Sequence, residues 1–345
     1  MKTDLRFATI GLLAALTACG SVAPAAAADQ ALIDAAKKEG HVTWYTTLIV
    51  DQFARPAAEA FEKKYGIKVD YIRADMTDIA LRIVAEGKAG QVQADILESV
   101  TVGTLVKDGY VQSWLPDAVQ HLPKDRYDPA GFWVASNIDV LTPGFNTELV
   151  PKGTEPKTFA DLLEPEWKGK MAWSSNNAAS SAPGFIGSVL TEMGEDKGLA
   201  YLQKLAKQNI ANVGGAARQV LDEVIAGEYS IALRIFNHHA VISAAKGAPS
   251  DWIRMEPAMV ILGIVSLTTH SPHPNAGKLL FDFLESEDGQ KLFRDGNFLP
   301  CDPAVPPRDP SLTPASGHFR ATTFSPEALD AAMPRWVDVY HRLFQ

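Results

Sequence analysis

From residue 41 the chain alternates between two hydrophobic periods, the pattern of a layered α/β protein. Val42 and Trp44 alternate with polar neighbours in a first strand. Pro56 suits the first turn of the following helix, whose apolar face continues through Phe61 and Tyr65 until Gly66 stops it. Ile67, Val69 and Tyr71 mark a second strand, and Ile79 and Ile83 share one face of a helix running to about Gly87. A short strand from Ala94 to Leu97 follows, then a helix lined by Val102, Leu105 and Val106 that ends before Gly109.

This β-α-β-α-β-α succession predicts parallel strands joined by right-handed crossovers, with any ligand at the carboxyl ends of the strands. Those ends are Tyr45-Thr46-Thr47, Arg73 and Glu98-Ser99. A second α/β region begins near Phe132 to Val140. Its helices carry Phe185, Val189 and Met193, then Leu199, Leu202 and Leu205, then Val220, Leu221 and Val224, before a strand from Tyr229 to Ile235. Met259 to Leu267 reads as a buried strand, Leu279, Leu280, Phe283 and Leu284 form one apolar helical face, and Pro300 to Pro314 is a proline-rich connection. No repeat of solenoid length is visible.

The length of 345 residues suits two lobes rather than one core. A formal net charge of -9 argues against general binding to nucleic acid or anionic membrane, which attract basic surfaces, but not against a small anionic ligand. At the N-terminus, Lys2 and Arg6 precede an apolar run from Phe7 to Ala18 and a small-residue stretch from Ala23 to Ala28. That is the pattern of a secretory signal over residues 1–28, which places the mature protein in the periplasm. Leu16-Thr17-Ala18-Cys19 also has the form of a lipobox, in which case Cys19 would carry lipid; both readings stay open. Cleavage after Ala28 leaves Cys301 as the one cysteine, so no internal disulfide can form, and a packed, inert thiol is the expectation there.

The segments ALIDAAKKEGHVTWYTTL, FEKKYGIKVDYIRA, ADILES, TFADLLEPEWKGKMAW, VLDEVIAGEYSIAL and KGAP, in this order, resemble periplasmic substrate-binding proteins of ABC importers, bacterial extracellular solute-binding proteins related to the ferric-ion binders. The resemblance implies a type II periplasmic binding fold, in which two discontinuous α/β lobes are joined by crossing hinge strands and hold a ligand between them. By analogy, lobe one takes residues 29–131 and 260–300, and lobe two takes 132–259 and 301–345. Ferric members hold iron through adjacent tyrosines after a strand, but here Asn237 and His238 stand in those positions. The glutamate implied after the third strand is replaced by Val100, and no histidine lies near Thr47. Phenolate oxygens suit hard Fe(III) far better than an amide and an imidazole. An iron site built on His238, Tyr45 and a bound anion is therefore the alternative, and a small anionic solute (carboxylate, phosphonate or phosphate ester) the main expectation.

The residues themselves offer an anion site. Ser174, Ser175, Ser180 and Ser181 lie in a small-residue stretch between a strand and an apolar helix, where unpaired N–H groups and the helix dipole favour negative charge; the same serines could simply cap the helix. Arg73 and Arg218 can grip such a group, and Tyr45, Thr46, Thr47, Ser99, Asn237 and His238 complete the candidate shell. Trp44 and Trp173 read as core. No nucleophile elbow, zinc-protease helix, phosphate loop or dinucleotide fingerprint occurs, which argues against a hydrolase built on His238 and His239; the resemblance implies a monomeric binding protein without cofactor, served by a membrane permease. A sensory protein that presents its closed form to a receptor would share these features. His270-Ser271-Pro272-His273 reads as a loop.

Overall fold

Asp29 opens the first helix, α1 (Gln30–Glu39), by accepting the N–H of Ala31, and Gly40, at φ 69°, closes it in the left-handed conformation that glycine adopts without strain. The computed structural model describes residues 29–116 and 119–345, so the secretory-signal and Cys19 readings lie outside the described residues. The chain continues through β1 (His41–Thr46), α2 (Arg55–Tyr65), β2 (Lys68–Arg73), α3 (Met76–Lys88), β3 (Ile96–Ser99), α4 (Gly103–Lys107) and β4 (Val111–Gln112). As the periodicity predicts, β1 runs parallel to both β2 and β3, with Thr46 in register with Arg73. The third strand sits two residues later than its apolar run suggests, which places Glu98 and Ser99 inside it rather than beyond its end.

A long strand, β5 (Val134–Asn146), then leads to β6 (Met171–Ser174), α5 (Ala182–Met193), α6 (Glu195–Leu205), β7 (Ala211–Val213), α7 (Ala217–Ile225), β8 (Ile231–Phe236), α8 (Asn237–Ala244) and β9 (Ser250–Trp252). The chain returns along β10 (Ala258–Thr268) to α9 (Pro274–Glu285), α10 (Glu287–Asp295) and β11 (Leu299–Pro300), and closes with α11 (Pro314–Gly317), β12 (Ala321–Thr323) and α12 (Pro326–Phe344).

Among the described residues the strands form one mixed sheet, of order β2-β1-β3-β10-β5-β8-β6-β7. The two central strands are shared. The end of β10 pairs with β3, its beginning pairs with β12, and β5 lies antiparallel along most of it. The later half of β5 turns to β8 and β9. Every residue of β10 is buried, as a near-continuous apolar run in a central strand requires.

Burial divides along the same line. One core joins residues from Ala36 to Ala135 with residues from Leu262 to Cys301. Two further cores, on the far side of the crossing strands, draw on β5 to β8, α5 to α7 and α12. Trp44 lies in the first and Trp173 in the second, both fully buried. Each such side chain is worth about 3–5 kcal/mol against truncation to alanine. The result is two α/β lobes, each built from separated pieces of chain, with β5 and β10 crossing between them.

Candidate functional site

The parallel strands of the first lobe end against the N-termini of α5, α7 and α8 of the second, enclosing a cavity of about 350 Å³. That is room for a small molecule. Of the residues singled out from sequence, Thr47, Arg73, Ser180, Ser181, Arg218 and His238 line it. Phe236, Ile261 and Phe298 give it an apolar wall, with the His238 ring 4.8 Å from that of Phe298.

The other candidates face elsewhere, each for a local reason. Tyr45 is fully buried: its hydroxyl donates to Glu86 Oε1 at 2.6 Å, and the Arg82 guanidinium lies 4.8 Å from its ring centre. It points into the packing between β1 and α3, so the expected pairing of Tyr45 with His238 around iron is corrected. Thr46 is buried too, donating to Glu98 Oε2 at 3.0 Å and accepting the N–H of Leu48. Ser99 is buried within β3. The Ser174 hydroxyl donates to the carbonyl of Gly215 and that of Ser175 to Val213, which ties the serine-rich loop to the segment between β7 and α7. Asn237 donates to the carbonyl of Leu312 at 2.8 Å.

Positive charge enters from both lobes. Arg73, at the end of β2, is exposed and makes no hydrogen bond or ion pair among the described residues. Arg218, in the first turn of α7, pairs with Asp222 at 2.8 Å. Both guanidiniums bear on His239, whose imidazole is held neutral first by burial, then by His238 and these two arginines. His238 is pushed down to about 3 by burial, with Arg218 adding to it. Ser181 precedes α5 and turns its hydroxyl inward to Ser174 at 3.0 Å, so no side chain caps this helix and its N-terminus stays open toward the cavity. Beneath it, Arg234, 2 % exposed, donates from Nε to the carbonyl of Ala179 and from Nη1 to Ser188 Oγ, and has no carboxylate partner among the described residues.

Two buried carboxylates share the cavity. Glu98 Oε2 accepts from Thr46 Oγ1, from Thr47 N at 2.8 Å and from Thr47 Oγ1 at 2.7 Å; burial nonetheless pushes it up to about 7. Asp139, on the crossing strand β5, accepts from Asn137 at 3.0 Å and is pushed up to about 8 by burial and by the charge of Glu98. At the rim, Asn176 of the second lobe donates to Asp75 Oδ2 of the first at 3.2 Å, a hydrogen bond across the cleft.

Sequence reasoning missed Asp139 and the cleft roles of Glu98 and Asn176; it weighed His239 with His238 as a metal pair, and both line the cavity. The implied glutamate is indeed absent at Val100, but Glu98 supplies a carboxylate from two residues earlier. A signal existed for Asp139, since a lone acid inside the run from Val134 to Val140 is anomalous for a buried strand.

Two lobes bridged by crossing strands, with charged and hydroxyl groups converging on the cleft between them, define a two-lobed binding protein of the type II periplasmic class. Residues 94–317 match the model of the bacterial extracellular solute-binding proteins, and the chain belongs to that family. It is 24% identical over 312 residues to a Salmonella paratyphi A protein named as a candidate 2-aminoethylphosphonate-binding periplasmic protein, covering 87% of this chain and 85% of that one. It is 23% identical over 248 residues to the Fe(3+)-binding periplasmic protein of Serratia marcescens, covering 69% and 72%. Among solved structures it is similar to the periplasmic binding protein AfuA of Actinobacillus pleuropneumoniae with fructose-6-phosphate bound, at a TM-score of 0.72 and 22% identity, over 87% of this chain and 98% of that one. Among the described residues no helix is long and apolar enough to cross a membrane, and no group of three or more His, Cys, Asp or Glu is arranged to hold a metal ion.

Proposed function

We propose that the protein is the periplasmic solute-binding component of an ABC-type importer, acting as a monomer, and that its ligand is a small anion bearing a carboxylate, phosphonate or phosphate ester. The observation that carries this reading is the unpaired guanidinium of Arg73, facing the same cavity as Arg218 from the opposite lobe. An anion between them would serve as counter-charge to both, and the open N-terminus of α5 with the free Ser180 hydroxyl would complete its shell. Because the two arginines belong to different lobes, the anion binds best when the lobes approach. Binding therefore shifts the population toward the closed form that a permease reads. The residue boundaries given for the lobes from sequence belong to the same proposal.

The phosphonate and phosphate-ester classes are those named for the Salmonella relative and the Actinobacillus structure. Iron is the second reading, supported by the name of the Serratia relative. Against it stand the absence of any tyrosine among the residues lining the cavity and the commitment of Tyr45 to Glu86. Calorimetric titration of the purified protein with phosphate monoesters, phosphonates, carboxylates and ferric citrate separates the two. Anion binding that weakens about tenfold or more in Arg73→Ala, with compaction in small-angle scattering, supports the first reading. Iron that survives desalting, without anion affinity, would overturn it.

A further inference from the structure

The cleft is not uniformly positive. Arg73 and Arg218 act on the histidines of α8, whereas the charged neighbour that acts on Asp139 is Glu98. Neither carboxylate makes an ion pair with a basic side chain among the described residues; their partners are the hydroxyls and N–H of Thr46 and Thr47 and the amide of Asn137. A site that took only an anion would gain nothing from two acids in its wall, since each repels negative charge when ionised. The same cavity holds an unsatisfied acceptor: His238 is 1 % exposed, and neither ring nitrogen has a partner among the described residues. Because burial and Arg218 keep this imidazole neutral, one of its nitrogens is an open lone pair.

We propose that Glu98 and Asp139 form a second subsite that seats a cationic group of the ligand, so that the solute is a zwitterion carrying an ammonium at one end and a phosphonate, phosphate ester or carboxylate at the other. The proposal rests on reading the cleft as an anion site and assigns the remainder of it. An ammonium has three N–H donors, and two carboxylates with the free imidazole nitrogen supply three acceptors in one cavity. A bound cation also offsets the burial that keeps both acids protonated, and for Asp139 the charge of Glu98, so its arrival expels protons. The other titratable groups facing the cavity are Arg73, Asp75 and Asp78 from the first lobe and Arg218, His238 and His239 from the second. Both histidines stay neutral above their depressed range.

The test uses matched probes: 2-aminoethylphosphonate against ethylphosphonate, and phosphoethanolamine against ethyl phosphate, titrated calorimetrically into the purified protein. The amine-bearing member of each pair is expected to bind about tenfold tighter or more at pH 7.5, with a preference that grows from pH 5.5 to 8. In buffers of different ionisation enthalpy, the amine-bearing members should release more protons near pH 7 than the plain anions. This measurement needs no variant. Asp139→Asn should abolish the preference, and Glu98→Gln should reduce it. Equal affinity within each pair, or a preference that survives both substitutions without proton release, would overturn the zwitterion and leave the anion reading standing. Failure of all four probes to bind would overturn both.

Discussion

Arg234 donates from Nε to the carbonyl oxygen of Ala179 at 3.1 Å, which fixes a buried guanidinium under the loop that frames the cleft. Burial pulls this group down from its ordinary range, yet guanidinium remains charged at neutral pH. Arg234 does not line the cavity, but Ala179, which it holds, does, so it can act on a bound anion through charge rather than contact. Arg234→Met should leave the stability of the empty protein within about 2 kcal/mol, because relief of an unpaired buried charge offsets the three lost hydrogen bonds, to Ala179, Ser188 and Met259. Anion affinity should nonetheless fall by about tenfold, read by denaturant melts alongside calorimetry. An unchanged affinity would make Arg234 a packing residue only.

Tyr45→Phe tests the corrected placement of that side chain. Glu86 keeps Arg82 Nε at 2.8 Å and the N–H of Gln93 at 2.9 Å after the hydroxyl is removed, so no acceptor is stranded. The expected cost is about 1 kcal/mol in urea unfolding, with ligand affinity unaltered. A large affinity loss would return Tyr45 to the site.

Stability of the empty protein should fall as pH rises from about 6.5 to 8. Glu98, pushed up to about 7, and Asp139, pushed up to about 8, hold protons when folded that the unfolded chain has already lost. Their contribution therefore declines as pH rises from the ordinary carboxyl range, about 4, up to those values, by up to about 1.4 kcal/mol per pH unit for each proton. His238 and His239, held neutral, act in the opposite sense and lose their contribution as pH falls below about 6.5. Because the two effects oppose each other below pH 6.5, thermal melts from about pH 6.5 to 8.5 would show the decline, and Asp139→Asn should flatten it. A flat profile in the unsubstituted protein would refute the assignment.

Cys301 should resist thiol reagents in the folded protein. It is 2 % exposed, its Sγ donates to the carbonyl of Ala135, and burial with nearby Glu285 pushes the thiol up. Labelling by a disulfide reagent should be slow in buffer and fast in denaturant; rapid native labelling would mean that the core around it opens.

The β1 to β3 unit was legible in sequence because its cues are local: alternation in Val42 and Trp44, Pro56 opening a helix, Gly66 ending it at φ 73°. Knowing where a strand ends does not say which way its last side chains point. Tyr45 and Thr47 are two residues apart on the same strand end, and what separates their roles is Glu86, forty residues on, which draws the phenol into the packing. The serine loop failed similarly, since its hydroxyls at 174 and 175 are claimed by carbonyls near residue 213 that no local pattern announces. The Glu98 and Asp139 pair is less legible still. It exists only because β10 holds β3 and β5 on either side of it, a matter of sheet order rather than spacing.

The place of β10 between β3 and β5 also bears on how the chain is made. Strand β3 is complete by residue 99, but the neighbour that covers its open edge is encoded only from residue 258 onward. Through most of its synthesis the nascent chain therefore carries an unpaired, apolar strand edge, the kind that templates wrong pairings. A fragment truncated before β10 would keep that edge permanently, and neither lobe can be excised as a single stretch of chain.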